Sequence, residues 1–153
     1  MNFRDFKRGL DVAAEKIVFV GLGNESRGDD AAGLFFLQKL KEQAEFKAAT
    51  FIGAGTNPEN YLQQILEAQP SLVVFIDAAD WGAPRGEMRW IDPAELDHIQ
   101  ISTHAFSIQL VEKYLKSHQA MDTKYFSIQY GSMKPGEGLS DELKERIMVF
   151  FTK

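Results

Sequence analysis

The sequence predicts a single α/β domain with a mostly parallel, twisted sheet of about five strands, helices on both faces and one antiparallel edge strand. Its 153 residues suit one domain. Apolar runs alternate with segments of helical periodicity almost throughout, which is the pattern of strands joined by crossover helices. The central runs are continuously apolar, as expected for strands buried on both faces.

The predicted elements follow one another in a regular order. Phe3, Phe6 and Leu10 have helical spacing, so we expect residues 1–15 to form an N-terminal extension with a short amphipathic helix, followed by the α/β domain at 16–153. Strands are predicted at 17–20, 49–52, 72–76 and 125–128, with a half-buried edge strand at 87–91. Helices are predicted over 29–41, from a capping box at 56–59 through Leu66, from Ser102 or Thr103 through Leu115, and from Ser140 to about Phe151.

The charge and the hydropathy exclude two classes of partner. Lys and Arg number 17 and Asp and Glu number 22, for a net charge of −5. These charges are spread along the chain, so no basic surface for a nucleic acid is expected. No apolar run approaches the roughly 18 residues of a membrane span, and the amino terminus lacks a signal-peptide stretch. We therefore expect a cytoplasmic protein that binds neither nucleic acid nor membrane.

Catalysis through a cysteine or serine nucleophile is not indicated. The chain has no cysteine, which excludes disulfides, thiolate metal sites and a cysteine nucleophile. Ser107, Ser127 and Ser132 lack the Gly-x-Ser-x-Gly pattern of a nucleophile elbow.

The loop after the first predicted strand favours a cation over an anion. Gly21 and Gly23 match the first two glycines of a dinucleotide-binding fingerprint, but Ser26 stands where the third glycine is expected. Asp29 and Asp30 follow, at the place where a bound pyrophosphate needs the positive end of a helix. A nucleotide-binding module stays as an alternative that this acidic pair disfavours.

Three segments with acidic or imidazole side chains could converge at one edge of the sheet. Asp29 and Asp30 follow the first strand, Asp77 ends the third, and His104 precedes a helix. Each has an ordinary explanation, as a helix cap for the first two, a turn residue for Asp77 and a surface histidine for His104. Ligands of open α/β sheets bind beyond the carboxyl ends of the strands. One carboxylate from each strand end and the imidazole would suit Ni²⁺, Zn²⁺ or Mn²⁺ and leave coordination positions open.

The chain resembles the endopeptidases that mature the large subunit of nickel-iron hydrogenases, over residues 16 to 151. It departs from the family at Ala31, where many members have Gly, at Gly53-Ala54-Gly55, which lacks an acidic residue often found after strand two, and in its 15-residue extension. The shared motifs, in the family's order, are Gly21-Leu22-Gly23-Asn24-x-x-x-x-Asp29-Asp30-x-x-Gly33, Gly55-Thr56-x-Pro58, Val74-Phe75-Ile76-Asp77-Ala78, Pro84-x-Gly86, Ile91-Asp92-Pro93, Ser102-Thr103-His104, Ile128-Gln129 and Gly138-Leu139-Ser140.

The resemblance implies a fold, a site and an activity. The fold is a phosphorylase/hydrolase-like sheet flanked by helices. The metal-binding and catalytic residues are, by position, Asp30, Asp77 and His104. The activity is removal of a C-terminal extension from the nickel-loaded precursor of the hydrogenase large subunit, which is the expected partner. The nickel belongs to the substrate, and another divalent metal such as zinc could replace it in vitro. The alternative is a non-enzymatic nickel-binding accessory protein that uses the same three residues.

Overall fold

The structure is a computed structural model that describes residues 1–91, 95, 100, 101 and 105–152. Within these residues the helices are α1 (Phe3–Arg8), α2 (Ala32–Lys41), α3 (Leu62–Glu67), α4 (Ala105–His118) and α5 (Asp141–Thr152). The strands are β1 (Ile17–Leu22), β2 (Thr50–Gly55), β3 (Leu72–Asp80), β4 (Met88–Ile91), β5 (Gln100–Ile101) and β6 (Asp122–Gln129).

The strands form one mixed sheet in the order β2-β1-β3-β6-β4. The pairs β2–β1, β1–β3 and β3–β6 are parallel, and β4 pairs antiparallel with β6 at the edge. The predicted fold class is therefore confirmed. The short strand β5 was not predicted, because two residues are too few to show a periodicity; it lies antiparallel to Ala79 and Asp80 at the end of β3.

Alternate residues of the central strands enter two separate cores. On β1, Ile17 and Phe19 face a core shared with α1, α2 and α5, whereas Val18 and Val20 face a core shared with α3 and α4. This alternation is the period of two that a strand imposes on its side chains. It explains the continuous apolar runs Ile17–Val20 of β1 and Leu72–Ile76 of β3, since both faces of the sheet are covered there.

The predicted amino-terminal helix is present and packs into the first of these cores. Asn2 and Asp5 form a capping box at the start of α1. Phe6 is fully buried and stacks on Trp90 with ring centroids 4.9 Å apart. It also meets Phe126 edge to face at 4.8 Å. Because Phe6 contacts both a central and an edge strand, α1 contributes to the packing of the sheet.

Of the four helix starts predicted after residue 15, the one at Ser140 is confirmed, the one at Thr56 is wrong, and the one at Ser102 or Thr103 lies outside the described residues. The Ser140 hydroxyl accepts a hydrogen bond from the Leu143 N–H at 3.4 Å, so Ser140 caps α5 as predicted. The capping box at Thr56 does not form. The Thr56 hydroxyl donates to the Asn57 side chain, and the Asn57 amide donates to Glu59. These side chains bond to one another, and a single-turn helix at Pro58–Tyr61 precedes α3 without a side-chain cap.

Among the helices of the described part of the chain, none combines the length and the apolar character needed to cross a membrane.

We expect replacement of Phe6 by alanine to destabilise the protein strongly. A large-to-small change at a fully buried phenylalanine costs about 3–5 kcal/mol, because apolar contacts are lost and a cavity remains. Urea denaturation of the purified protein measures this change in the free energy of unfolding. The control is Met148→Ala, which truncates a side chain that is 51% exposed on α5 and should cost less than about 0.5 kcal/mol. A Phe6→Ala change below 1 kcal/mol would show that α1 lies outside the cooperative core.

Candidate functional site

The strand order places a crevice between the carboxyl ends of β1 and β3. β2 lies on one side of β1 and β3 lies on the other, so the strand order reverses between β1 and β3. Loops that leave the two strands diverge at such a switch point and leave room for a ligand. Asp30 follows β1, and Asp77 lies near the end of β3. The topology therefore brings these two predicted residues to one edge of the sheet.

Gly33 lets α2 approach the ends of both strands. A Cβ atom at Gly33 would lie 2.5 Å from the Leu22 carbonyl oxygen, 2.6 Å from the Ile76 carbonyl oxygen and 3.1 Å from the Asp77 Cα. The first two distances are far below van der Waals contact, so only glycine permits this packing. The first turn of α2 thus covers the junction of β1 and β3, and the turn that carries Asp30 directly precedes it.

Asp30 is held in a buried position by the loop that follows β1. Its side chain is 1% exposed, and its Oδ2 accepts a hydrogen bond from the Asn24 N–H at 3.1 Å. The loop folds back on itself at Gly23, which has a φ of 141°. A Cβ at Gly23 would lie 1.9 Å from the Asp30 carbonyl oxygen, so this fold-back also requires glycine.

Asp77 is buried near the carboxyl end of the central strand β3, which continues past the predicted end at 76 to Asp80. It is 5% exposed, and its Oδ1 accepts a hydrogen bond from the Ala78 N–H at 2.9 Å. Phe75, two residues earlier, belongs to the core shared with α3 and α4. By the period of two along a strand, the Asp77 side chain faces the same side. The rigid centre of the sheet therefore determines the position of this carboxylate.

The third predicted residue, His104, lies outside the described residues. On either side of it in the sequence, Ile101 pairs with Ala79 next to the end of β3, and α4 begins at Ala105. The described part of the chain holds no group of three His, Cys, Asp or Glu residues arranged to bind a metal. Asp30 and Asp77 are thus the two members of the predicted set that the structure places.

Asp29 has a structural role that its sequence position did not suggest. Its Oδ2 accepts hydrogen bonds from the Gly131 N–H at 2.9 Å and the Ser132 N–H at 3.1 Å, and its Oδ1 accepts one from the Ser140 N–H at 3.0 Å. The expectation that Asp29 and Asp30 cap a helix is therefore wrong, because no side chain caps the single turn at Gly28–Ala31 or α2.

The hydrogen bonds to Asp29 keep its carboxylate charged despite burial. Burial by itself raises the pKa of a carboxyl group, because the charged form loses its hydration. At Asp29 the hydrogen bonds from Ser140, Gly131 and Ser132 outweigh this effect, and the pKa lies below its ordinary value of 3.8. The carboxylate thus ties the loop at 131–140 to the loop that carries Asp30.

Backbone hydrogen bonds reinforce this connection between the two loops. The Gly28 N–H donates to the Glu137 carbonyl and the Asp29 N–H to the Ser132 carbonyl, each at 2.7 Å. The Gly136 N–H donates to the Ser26 carbonyl at 2.7 Å. The loop at 131–140 therefore forms a well-anchored wall beside the loop that carries Asp30.

Gln129 organises the turn after β3, and sequence reasoning assigned it no role. It is buried, and its Oε1 accepts hydrogen bonds from the Trp81 N–H at 2.9 Å and the Ala83 N–H at 3.3 Å. Its Nε2 donates to Asp80 Oδ1 at 3.1 Å. Gln129 is a buried polar residue at the end of β6, and a polar residue directly after the predicted strand at 125–128 is the signal that could have found it.

Tyr130 is a second residue near the site that the sequence did not single out. Burial, followed by the negative charges of Asp80 and Asp30, raises the pKa of its phenol. The phenol therefore stays protonated near Asp30 at neutral pH and can donate a hydrogen bond.

The geometry disfavours nucleotide binding at the loop after β1. A dinucleotide pyrophosphate would require the amino end of the helix that follows this loop. Here the turn that leads into α2 carries Asp29 and Asp30, each 1% exposed. Two carboxylates at that end repel a phosphate and attract a cation.

The chain is similar to known proteins over most of its length. The HycI family model, described as hydrogenase maturation protease, matches residues 36–151. The chain belongs to the hydrogenase maturation protease family. The resemblance predicted from the ordered motifs is thereby confirmed. The matched region contains the positions of Asp77 and His104, whereas Asp30 precedes it.

Individual members of the hydrogenase maturation protease family are similar along much of the chain. A [NiFe] hydrogenase maturation protease HycI from Thermococcus kodakarensis superposes with a TM-score of 0.76 at 34% identity, covering 87% of this chain and 85% of that one. The hydrogenase 3 maturation protease of Escherichia coli is 31% identical over 65% of this chain. A candidate maturation protease of Methanocaldococcus jannaschii is 34% identical over 67% of it. The chain spans 64% of the length of each of these last two relatives.

We expect Asp29→Asn to lower stability in a pH-dependent way. The folded-state pKa of Asp29 lies below its ordinary value, so the charged group stabilises the fold above about pH 5 and this stabilisation is lost as the pH falls through the folded-state pKa. Hydrogen bonds to a charged group contribute about 1.5–3 kcal/mol. Urea denaturation at pH 7 should show a loss of about 2 kcal/mol in the variant.

The same measurement at about pH 3 should show a smaller difference between the variant and the wild type, since the Asp29 carboxyl of the unfolded wild type, at its ordinary pKa of 3.8, takes up a proton there. Asp11→Asn, which changes an exposed carboxylate, is the matched control and should shift stability by less than about 0.5 kcal/mol. Equal stability of Asp29→Asn and wild type at pH 7 would contradict the role given to Asp29.

Proposed function

We propose that this protein is an endopeptidase that removes the C-terminal extension of a nickel-loaded hydrogenase large-subunit precursor and recognises the bound nickel. Membership of the hydrogenase maturation protease family supports this activity. The assignment of the site rests on one observation. Two buried carboxylates, Asp30 and Asp77, lie at the switch point between β1 and β3. Asp30, Asp77 and His104 would bind the nickel.

The chemistry of the donor set fits nickel. Two carboxylates and one imidazole can occupy three positions of a divalent ion and leave others open for groups of the substrate. Zinc accepts the same donors, so it is a suitable substitute in vitro. A bound divalent metal polarises a carbonyl or lowers the pKa of a water. The precursor brings the nickel with it, so the ion identifies the substrate as loaded.

The residues of this chain would contribute chiefly by holding the substrate in one orientation. Asp77 lies on a central strand, and Asp30 lies in a loop that two glycines and the Asn24 N–H hold in place. Both carboxylates are therefore positioned before the substrate arrives. Positioning of reacting groups accounts for a large share of the rate in many enzymes. It suits a chain that has no cysteine and in which Ser107, Ser127 and Ser132 lack the pattern of a nucleophile elbow.

The support for His104 comes from the sequence. It lies in the motif Ser102-Thr103-His104, three residues after Ile101 and directly before Ala105. Ile101 pairs with Ala79, two residues beyond Asp77. An imidazole from this segment would complete the donor set that the two carboxylates begin.

We expect Asp30→Asn, Asp77→Asn and His104→Ala each to abolish cleavage while the protein stays folded. Each change removes a proposed nickel ligand, and an asparagine side chain has nearly the size of aspartate without its charge. Mass spectrometry of nickel-loaded precursor after incubation with each variant measures the loss of the C-terminal extension. Circular dichroism and thermal unfolding check that the variants are folded.

The matched control for these variants is Asp122→Asn. Asp122 is exposed at the start of β6, where it pairs with Leu72 at the amino end of the sheet and far from the crevice. This variant should cleave at the wild-type rate. Full cleavage by Asp77→Asn would remove Asp77 from the site.

We expect the protein to shorten nickel-loaded precursor and to leave nickel-free precursor intact, because the ion is part of what the site recognises. The two forms are incubated with a substoichiometric amount of the protein, and their masses are followed over time. More than one cleaved precursor per protein molecule would exclude the alternative of a nickel-binding accessory protein. Equal cleavage of both precursor forms would contradict recognition through nickel.

A further inference from the structure

A small cavity lies beside Asp77 on the face of the sheet that α4 covers. Its volume is about 20 Å³. Among the described residues, the apolar side chains of Phe75, Ile91 and Ile108 form much of its wall, and Asp77 and Ser127 supply polar groups. The cavity therefore adjoins one of the two placed carboxylates of the proposed nickel site.

Ser127 presents an unsatisfied hydroxyl to this cavity. The residue is 4% exposed, and its Oγ has no hydrogen-bond partner within the described part of the chain. Buried hydroxyls in folded proteins nearly always have a partner, which is often a water. A buried, unpartnered oxygen that lines a cavity indicates that the cavity holds a polar ligand.

The register of the sheet places Ser127 next to Asp77. The two residues are directly paired in the parallel ladder of β3 and β6. Side chains of paired residues project from the same face, and neighbouring strands are about 4.8 Å apart. The Ser127 hydroxyl and the Asp77 carboxylate therefore line the cavity from adjacent positions.

The size of the cavity and its lining suit one water. A single water needs about 10–15 Å³ and two or more polar partners, and the cavity offers about 20 Å³. Tyr125 also lines it, but its hydroxyl donates to Glu112 at 2.5 Å. A carboxylate can accept about four hydrogen bonds, one of which comes to Asp77 from the Ala78 N–H.

We propose that this cavity holds one water that is hydrogen-bonded by both Ser127 Oγ and the Asp77 carboxylate, and that Ser127 is thereby a positioning residue for Asp77. The water donates to the carboxylate and bonds to the hydroxyl, which a central strand holds in place. The carboxylate then keeps one orientation in the crevice. The inference that a water is bound rests on the cavity and on Ser127 alone, whereas the effect of this water on cleavage rests on the proposed function.

A crystal structure of the wild-type protein tests the water directly. At a resolution that shows ordered solvent, we expect one water within hydrogen-bond distance of both Ser127 Oγ and an Asp77 carboxylate oxygen. An empty cavity, or a water that touches only one of the two groups, would overturn the proposal. This test is independent of any activity of the protein.

A matched pair of variants tests the positioning role. Ser127→Thr and Ser127→Val have nearly the same shape and both suit a strand, but only the threonine keeps the hydroxyl. Loss of a group that orients a metal ligand typically costs 10- to 100-fold in activity. We therefore expect the valine variant to process nickel-loaded precursor about 10-fold more slowly than the threonine variant, through kcat with KM little changed.

The readouts separate this proposal from the proposed function. Thermal unfolding should be similar for the two variants, so a purely structural role of Ser127 would leave their kcat values equal. Equal kcat values beside an active wild type would overturn the positioning role. A wild type that cleaves no precursor would instead overturn the proposed function, and the crystal structure would still decide whether the water is bound.

Discussion

The site depends on the close packing of α2 against the carboxyl ends of β1 and β3. Gly33 makes this packing possible, since a Cβ there would lie 2.5 Å from the Leu22 carbonyl oxygen and 2.6 Å from that of Ile76. Any side chain would push the first turn of α2 outward and would move the preceding turn, with Asp30, away from Asp77. The absence of a side chain at Gly33 thus determines how closely the turn that carries Asp30 approaches the ends of β1 and β3.

Asp29 and Asp30 are adjacent in the sequence but have different roles, because different groups surround their side chains. Asp29 points toward the loop at 131–140, where three backbone N–H groups satisfy its charge. Asp30 accepts a hydrogen bond from Asn24 within its own loop. A buried carboxylate is tolerated where N–H groups or a cation compensate its lost hydration. The first carboxylate therefore builds the wall of the site, and the second is a candidate ligand.

Most of the fold was predictable from local patterns. Continuous apolar runs predicted β1 and β3, and alternation of apolar and polar residues predicted β4, each to within a few residues. Burial on both faces leaves a continuous apolar run, whereas burial on one face leaves an alternation. Two predicted helix caps do not form, at Asp29 and at Thr56, because each side chain bonds to another partner. The Asp29 side chain bonds residues about a hundred positions away, and Thr56 bonds to Asn57. Short-range spacing carries no information on such partners.

The sequence by itself determined the fold class, the family and the positions of the candidate residues Asp30 and Asp77, because apolar periodicity and ordered motifs are written along the chain. Only the tertiary structure decided how side chains from different strands meet. The role of Asp29 depends on the loop at 131–140 lying against the loop after β1. The bonds that Gln129 makes to the turn after β3 and the pairing of Ser127 with Asp77 depend on strand register. Register is set by the packing of the whole sheet, and a shift of β6 by one residue would turn Ser127 and Gln129 to the opposite face.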